Sequence, residues 1–158
     1  MTCQSFAEAN RATIGKVITV RLGIQGSTEC STVHNYIEKN WDVVILRKGA
    51  VSAWPNETLV IPMNMRDGTI LAKGKGNQNW NFSAPHGAGR LLSRSQAKKR
   101  LDVSEFVREM TGIYTTCISK NTLDEAPMAY KPMASIIEQI GDTVEMLDIL
   151  KPVYNFKA

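Results

Sequence analysis

Imidazole is scarce in this chain: two histidines, His34 and His86, stand among 158 residues. Any step that uses imidazole as base, metal ligand or nucleophile must use one of them. His86 opens the segment His86-Gly87-Ala88-Gly89-Arg90. Its small residues let backbone N–H groups approach a phosphate closely. Arg90, read as opening the next helix, and Arg94 one turn on would bring two guanidiniums to phosphate oxygens. A histidine beside such a cradle could act as base, ligand or nucleophile toward phosphorus; the competing reading is a plain glycine-rich turn.

Other residues offer weaker chemistry. His34 and Glu38 are four apart, so on a helix they would share a face and could reach one metal ion, although one pair is too few for a site. A solvated or capping histidine is the alternative. Asp124-Glu125 could bind a metal or act as an acid/base pair, against a structural loop. Lys98-Lys99-Arg100 extends a basic helical face that is either solvated or tracks an RNA backbone. Gly74-Lys75-Gly76-Asn77 resembles a piece of a phosphate-binding loop but lacks the Gly-x-x-x-x-Gly-Lys-Ser/Thr spacing.

The elements that must position these residues follow from periodicity and turn chemistry. Residues 5–22 read as a helix opened by a Ser5/Glu8 capping box, with Gly23 and Gly26 breaking the pattern. Trp41 to Leu46 reads as a strand buried on both faces. Thr58 to Ile61 and Thr69 to Lys73 read as strands around an Asp67-Gly68 turn. Residues 74–89 have no hydrophobic period, and an ordered loop of that length is usually functional. Helices are predicted over Ser93 to Leu101, from an Asp102 cap through Met110, and from Pro132 through Val144; Ile113 to Ile118 and Met146 to Leu150 are predicted strands. Strands grouped early and helices late give an α+β fold, mixed sheets with flanking helices, in one domain spanning 1–158.

Composition sets the outer bounds. The chain is 43% hydrophobic and 22% charged, which excludes disordered, collagen-like and coiled-coil classes. No apolar run approaches the roughly 20 residues of a membrane span and no charged-then-apolar leader opens the sequence, so a cytoplasmic protein without a membrane partner is expected. The net charge of +4 favours a polyanionic partner. Cys3, Cys30 and Cys117 are too few and too scattered for a disulfide framework or a zinc ribbon, and are expected to be reduced and mostly buried.

Several motifs occur together and in order: His34-Asn35, Arg47-Lys48-Gly49-Ala50, the stretch from Ile61 to Gly68, Gly74 to Asn77, His86 to Arg90, Leu92-Ser93-Arg94, Asp124 to Lys131 and the terminal Tyr154 to Ala158. Together they resemble RtcB-type RNA-splicing ligases, from about Asn10 to the last residue, and most of all the bacterial branch that writes Asn-Met-Arg-Asp-Gly. The resemblance implies a ligase that joins an RNA 3′-phosphate or 2′,3′-cyclic phosphate end to a 5′-hydroxyl end, in RNA repair or tRNA splicing. It implies GTP and Mn²⁺ as cofactors and a histidine–GMP intermediate. Carried over, His86 is the nucleophile and His34 a manganese ligand. Asn35, Pro62, Met63, Asn64, Met65, Thr69, Gly87, Ala88, Gly89 and Lys157 border the guanine nucleotide, and Arg90 is inferred as a phosphate contact. Family members are longer, and their earlier half brings an aspartate, a cysteine and another histidine to the metal. The chain is therefore expected to correspond to the C-terminal part of such a ligase, truncated on its N-terminal side. It would be either catalytic once completed by a separate N-terminal half, or a non-catalytic fragment that binds guanine nucleotide or RNA.

Overall fold

The computed structural model describes residues 2–25, 30–40 and 43–156. The chain divides into two compact units, residues 1–30 and 31–158. In the first, helix α1 runs Thr2–Leu22. Because it begins at Thr2, Ser5 lies inside the helix and does not cap it. Thr13 and Thr19 donate their hydroxyls to the carbonyls of Ala9 and Gly15, an in-helix alternative to capping that suits threonine. Cys3 on this helix is exposed, against the expectation of buried thiols, whereas Cys117 in the second unit is buried.

The second unit carries seven strands and three α-helices among its described residues. Strands β1 (Asn35–Asn40) and β2 (Val43–Lys48) form an antiparallel pair with Tyr36 opposite Arg47 and Ile37 opposite Leu46. Trp41, Asp42 and Gly26 lie outside the described residues. The expected doubly buried strand is buried on one face only: Ile45 and Arg47 point inward, while Val44 and Leu46 are exposed. A two-stranded sheet has just one face against the core, which is why the continuous apolar run misleads. His34 precedes β1 directly, so the helical pairing of His34 with Glu38 does not occur.

Strand β3 (Ala50–Ser52) pairs with β6 (Ser83–Pro85). Between them, β4 (Thr58–Asn64) and β5 (Gly68–Gly74) make a hairpin, and β7 (Val144–Leu150) adds to the far edge of β5. Leu59, Ile61 and Met63 alternate inward along β4 and meet Ile70 and Ala72 of β5, the period-two burial of a sheet with one buried face. The hairpin turn is built by Asn64, whose Oδ1 accepts from the N–H groups of Arg66 and Asp67 at 2.9 Å each. Gly68 then takes φ +89°, and any side chain there would collide with the Leu150 carbonyl of β7.

Helix α2 (Arg94–Arg100) is capped by a Ser93/Gln96 capping box, so that Ser93 precedes the helix instead of opening it, and α3 (Val103–Glu109) is capped by Asp102, as the sequence predicts. Helix α4 (Met133–Ile140) is shorter than predicted; Val144 belongs to β7. Its Ile136 and Ile140 close a core with Val51, Leu59, Ile61 and Ile70. A second core joins Met65, Phe106, Met110, Cys117 and Leu123. Ile113 to Ile118 forms no strand, only a single bridge from Thr115 to Asn155. Ile113 and Ile118 pack onto the second core as an irregular segment, so burial and not pairing explains their apolar character. No described helix is long and apolar enough to cross a membrane. The architecture is the expected α+β mix of small sheets and flanking helices.

Candidate functional site

The two histidines, 52 positions apart in sequence, meet at Gly49. Strand β6 ends at Pro85, opposite Ala50, so His86 emerges beside the β2–β3 corner. That corner is Gly49, at φ +67°, a left-handed backbone that glycine adopts without steric cost. Its N–H donates to the His34 carbonyl at 2.9 Å and to Asn35 Oδ1 at 3.0 Å. Its carbonyl lies 2.5 Å from His86 Nδ1. The imidazoles of His34 and His86 stack with centroids 5.3 Å apart and planes 15° apart, and both side chains are exposed. A carbonyl oxygen can only accept, so His86 Nδ1 donates to it, and in the neutral ring Nε2 is then the nitrogen with the lone pair. The site therefore presents an accessible, oriented imidazole nitrogen able to attack an electrophile.

Of the expected nucleotide residues, Pro62 to Met65 and Thr69 line an adjoining cleft of about 530 Å³ together with Tyr130 and residues 150–155, whereas Asn35, Gly87, Ala88 and Gly89 are not part of its lining. The turn after His86 is held against this wall. Ala88 N–H donates to the Pro62 carbonyl at 3.2 Å, and a side chain at Gly87 would come within 2.9 Å of the same oxygen. Pro62 is exposed and Thr69 half-buried, whereas Met63 and Met65 are buried. The Asn64 amide is occupied in the hairpin turn, its Nδ2 donating to Asp67. Gly89, at φ +70°, accepts from Lys131 N–H. The chain end is tied down by Asn155 Nδ2, which donates to the Met65 carbonyl at 2.9 Å. Lys157 lies outside the described residues.

Arg90 and Arg94 do not form the expected open phosphate cradle. Arg90 precedes α2 by several residues and bridges to Tyr130. Its Nη1 donates to the Asp124 carbonyl, its Nη2 to Glu125 and to the Tyr130 hydroxyl, and its plane covers the Tyr130 ring at 4.7 Å. Arg94 pairs with Asp124 and Glu125, and Lys98 with Asp124. Asp124-Glu125 is thus an ion-pair anchor and not an acid/base pair. Burial disfavours the Asp124 carboxylate, but hydrogen bonds from Arg94 and Lys98 outweigh it and hold its pKa below the ordinary value. Burial, reinforced by the hydrogen bond it donates to Glu125, pushes the Tyr130 hydroxyl up to about 12. A neutral, fixed phenol therefore forms one wall of the cleft.

Glu38, the other residue considered for a metal, instead pairs with buried Arg47 and accepts from Trp54 Nε1. Among the described residues no three His, Cys, Asp or Glu side chains converge. The stacked imidazoles alone do not make a manganese site, because a hard divalent ion needs several donors, oxygen chief among them. The residues that sequence reasoning missed are Gly49 as the anchor of His86, Tyr130 as a cleft wall and Arg47 as a clamp. Gly49 is the most legible of them, a glycine between two apolar runs.

A family model described as tRNA-splicing ligase RtcB matches residues 1–158. The chain is 32% identical to RNA-splicing ligase RtcB of Escherichia coli K12, over 98% of this chain and 41% of that protein. It is 30% identical to RNA-splicing ligase RtcB2 of another Escherichia coli strain, over 97% and 43%. It is also 32% identical to tRNA-splicing ligase RtcB of Aeropyrum pernix, over 63% and 24%. The chain belongs to the RtcB family, and spans about two-fifths of the length of the Escherichia coli relatives it matches.

Proposed function

We propose that this chain carries the guanylylation half-site of a GTP-dependent RNA ligase. His86 Nε2 attacks the α-phosphorus of GTP; an N–P bond forms, the bond to the β-phosphate oxygen breaks, and pyrophosphate leaves. An RNA 3′-phosphate oxygen then displaces His86 from the guanylate, and a 5′-hydroxyl displaces GMP while losing its proton to solvent. The observation that carries the proposal is the Nδ1 contact to the Gly49 carbonyl, which fixes the tautomer and leaves Nε2 as the nucleophile. The cleft beside it falls within the roughly 300–1,000 Å³ of small-molecule sites. His34 supplies one donor toward a metal in this reading; Mn²⁺ dependence of labelling is its test.

The chain is incubated with α-phosphate-labelled GTP and Mn²⁺. A covalent label stable in alkali and lost in acid, as phosphoramidates are, is the expected result, and His86→Ala abolishes it. Label retained by His86→Ala overturns the assignment. The lack of a converging metal-ligand set among the described residues favours one second reading, a non-catalytic fragment that binds guanine nucleotide or RNA. It predicts nucleotide or salt-sensitive RNA binding with no covalent label.

A further inference from the structure

His86 stands on a partition between two clefts. On one side, Gly87 and Ala88 rest on Pro62, part of the nucleotide cleft. On the other, Pro85 and Gly49 belong to the wall of a second cleft of about 490 Å³. Its remaining lining includes Leu46, Lys48, Trp80, Asn81 and Gln139. Lys48 is exposed, and among the described residues no carboxylate lines the cleft.

Trp80 is the unusual member. Its side chain is 55% exposed although it is the largest apolar side chain available. It ends a short 3-10 turn, Gln78–Trp80. Two non-glycine residues in left-handed backbone follow, Asn81 at φ +48° and Phe82 at φ +51°. Such conformations cost free energy and persist only where surroundings over-determine them. Here they do. Asn77 accepts from the N–H groups of Asn79, Trp80 and Phe82. Phe82 stacks on Trp54 at 4.0 Å, and its carbonyl accepts from Ala53 N–H and the buried Arg47 guanidinium. The chain thus spends strain to hold an indole out at the rim of a cleft that adjoins the proposed nucleophile.

We infer that this second cleft, with Trp80 as a stacking platform and Lys48 as its cation, receives the terminal bases of a single-stranded RNA end. The inference rests on the proposed guanylyl transfer and names the side from which its acceptor approaches. An aromatic face with a nearby cation suits an unpaired base and its phosphate. Asn81 and Gln139 can meet base edges, and the absence of carboxylates favours an anion.

The test is fluorescence anisotropy of the full chain with a labelled short oligouridylate ending in a 3′-phosphate. Trp80→Ala should weaken binding roughly tenfold, Trp80→Phe by no more than about threefold, and Lys48→Gln should lower the salt slope by about one. Because binding and GTP labelling are read separately, a label that His86→Ala retains, together with a Trp80 effect on binding, refutes the nucleophile and not the cleft. The inference is overturned if the wild-type chain shows no saturable binding, or if Trp80→Ala stays within about twofold of it. It is equally overturned if Trp80→Ala alters only the oligomeric state, which would make the indole a contact between copies.

Discussion

At the scale of single residues, the site depends on one backbone carbonyl being aimed at one ring nitrogen. Gly49 does the aiming at φ +67°, and a methyl group added there would sit 3.4 Å from His86 Cε1. That methyl group makes only an ordinary contact, but Gly49→Ala should cost about 1–2 kcal/mol of stability for the left-handed backbone, and relaxation of that backbone would re-aim the carbonyl that holds the imidazole. Gly112 provides the control. It takes φ +86° in the turn after α3 with no atom near its absent side chain, so Gly112→Ala carries the same backbone cost without touching the site. Urea denaturation should give similar losses for the two variants. The rate of GTP labelling should fall roughly 10- to 100-fold for Gly49→Ala alone, as expected for a small displacement of a reacting group. Equal labelling rates would show that the Gly49 carbonyl does not orient His86.

At the scale of elements, Arg47 joins the strand pair preceding the site to the segment that carries it. Its guanidinium, almost wholly buried, pairs with Glu38 and contacts Tyr36 on β1. From the same group, Nε donates to Ser83 Oγ on β6 and Nη2 to the Phe82 carbonyl. Arg47→Ala leaves the partly exposed Glu38 without its cation and empties the buried space of the guanidinium, and should cost about 3 kcal/mol. Arg47→Met combined with Glu38→Gln, which keeps an acceptor for Trp54 and removes the orphaned charge, should recover more than half of that loss. Hydrogen exchange localises the effect: the Ala53 amide, bonded to the Phe82 carbonyl, should lose protection in Arg47→Ala ahead of Ile61 in β4. Arg47 also shows what a sequence conceals. In Val-Val-Ile-Leu-Arg-Lys nothing separates a buried arginine from a solvated one, since its partners are nine and more than thirty positions away. By contrast, the α2 and α3 caps and the Asp67-Gly68 turn are legible because their chemistry is local. The histidines, Asn35 and the Pro62 to Met65 wall are found by resemblance. Their meeting at Gly49, the pairing of β3 with β6 and the internal role of Arg90 are set by long-range contacts that no local pattern encodes.

At the scale of the whole molecule, charge and exposed apolar surface decide behaviour. Asp67 and Asp124 both have folded pKa values below the ordinary carboxylate: burial opposes ionisation, but Arg66 and Asn64 at Asp67, and Arg94 and Lys98 at Asp124, outweigh it. A depressed folded value means stability that is complete above the unfolded pKa of roughly 4 and is lost as pH falls below it. Tyr130 has the opposite sign; its raised value supports the fold up to about pH 10, and that support is lost between there and about 12. Thermal melts should show a plateau from about pH 5 to 9 with both limbs falling. Asp124→Asn should flatten the acid limb and Tyr130→Phe the alkaline one, and unchanged limbs would remove these groups from the account.

The exposed face of the β1–β2 pair bears on association. Ile37 and Leu46 are cross-strand neighbours there, Val44 lies opposite Lys39, and the three apolar side chains are 54%, 74% and 65% exposed. The opposite face, with Tyr36, Glu38, Ile45 and Arg47, is the one packed inward. Contiguous apolar side chains on a two-stranded sheet offer both a sticky face and hydrogen-bonding edges. Lys39 and Lys48 flank the patch but do not cover it. The chain should therefore associate reversibly at micromolar concentration, with association growing as salt weakens the repulsion of its +4 net charge. Ile37→Thr with Val44→Thr keeps β-branched side chains in the strands and removes apolar surface, while sparing Leu46 at the second cleft. Sedimentation velocity should then show a shift toward monomer with the melting temperature lowered by less than about 3 °C. A chain that is monomeric at every concentration and salt would mean that this face is inert in solution. A double variant that associates as strongly as the wild type would place the contact elsewhere on the surface.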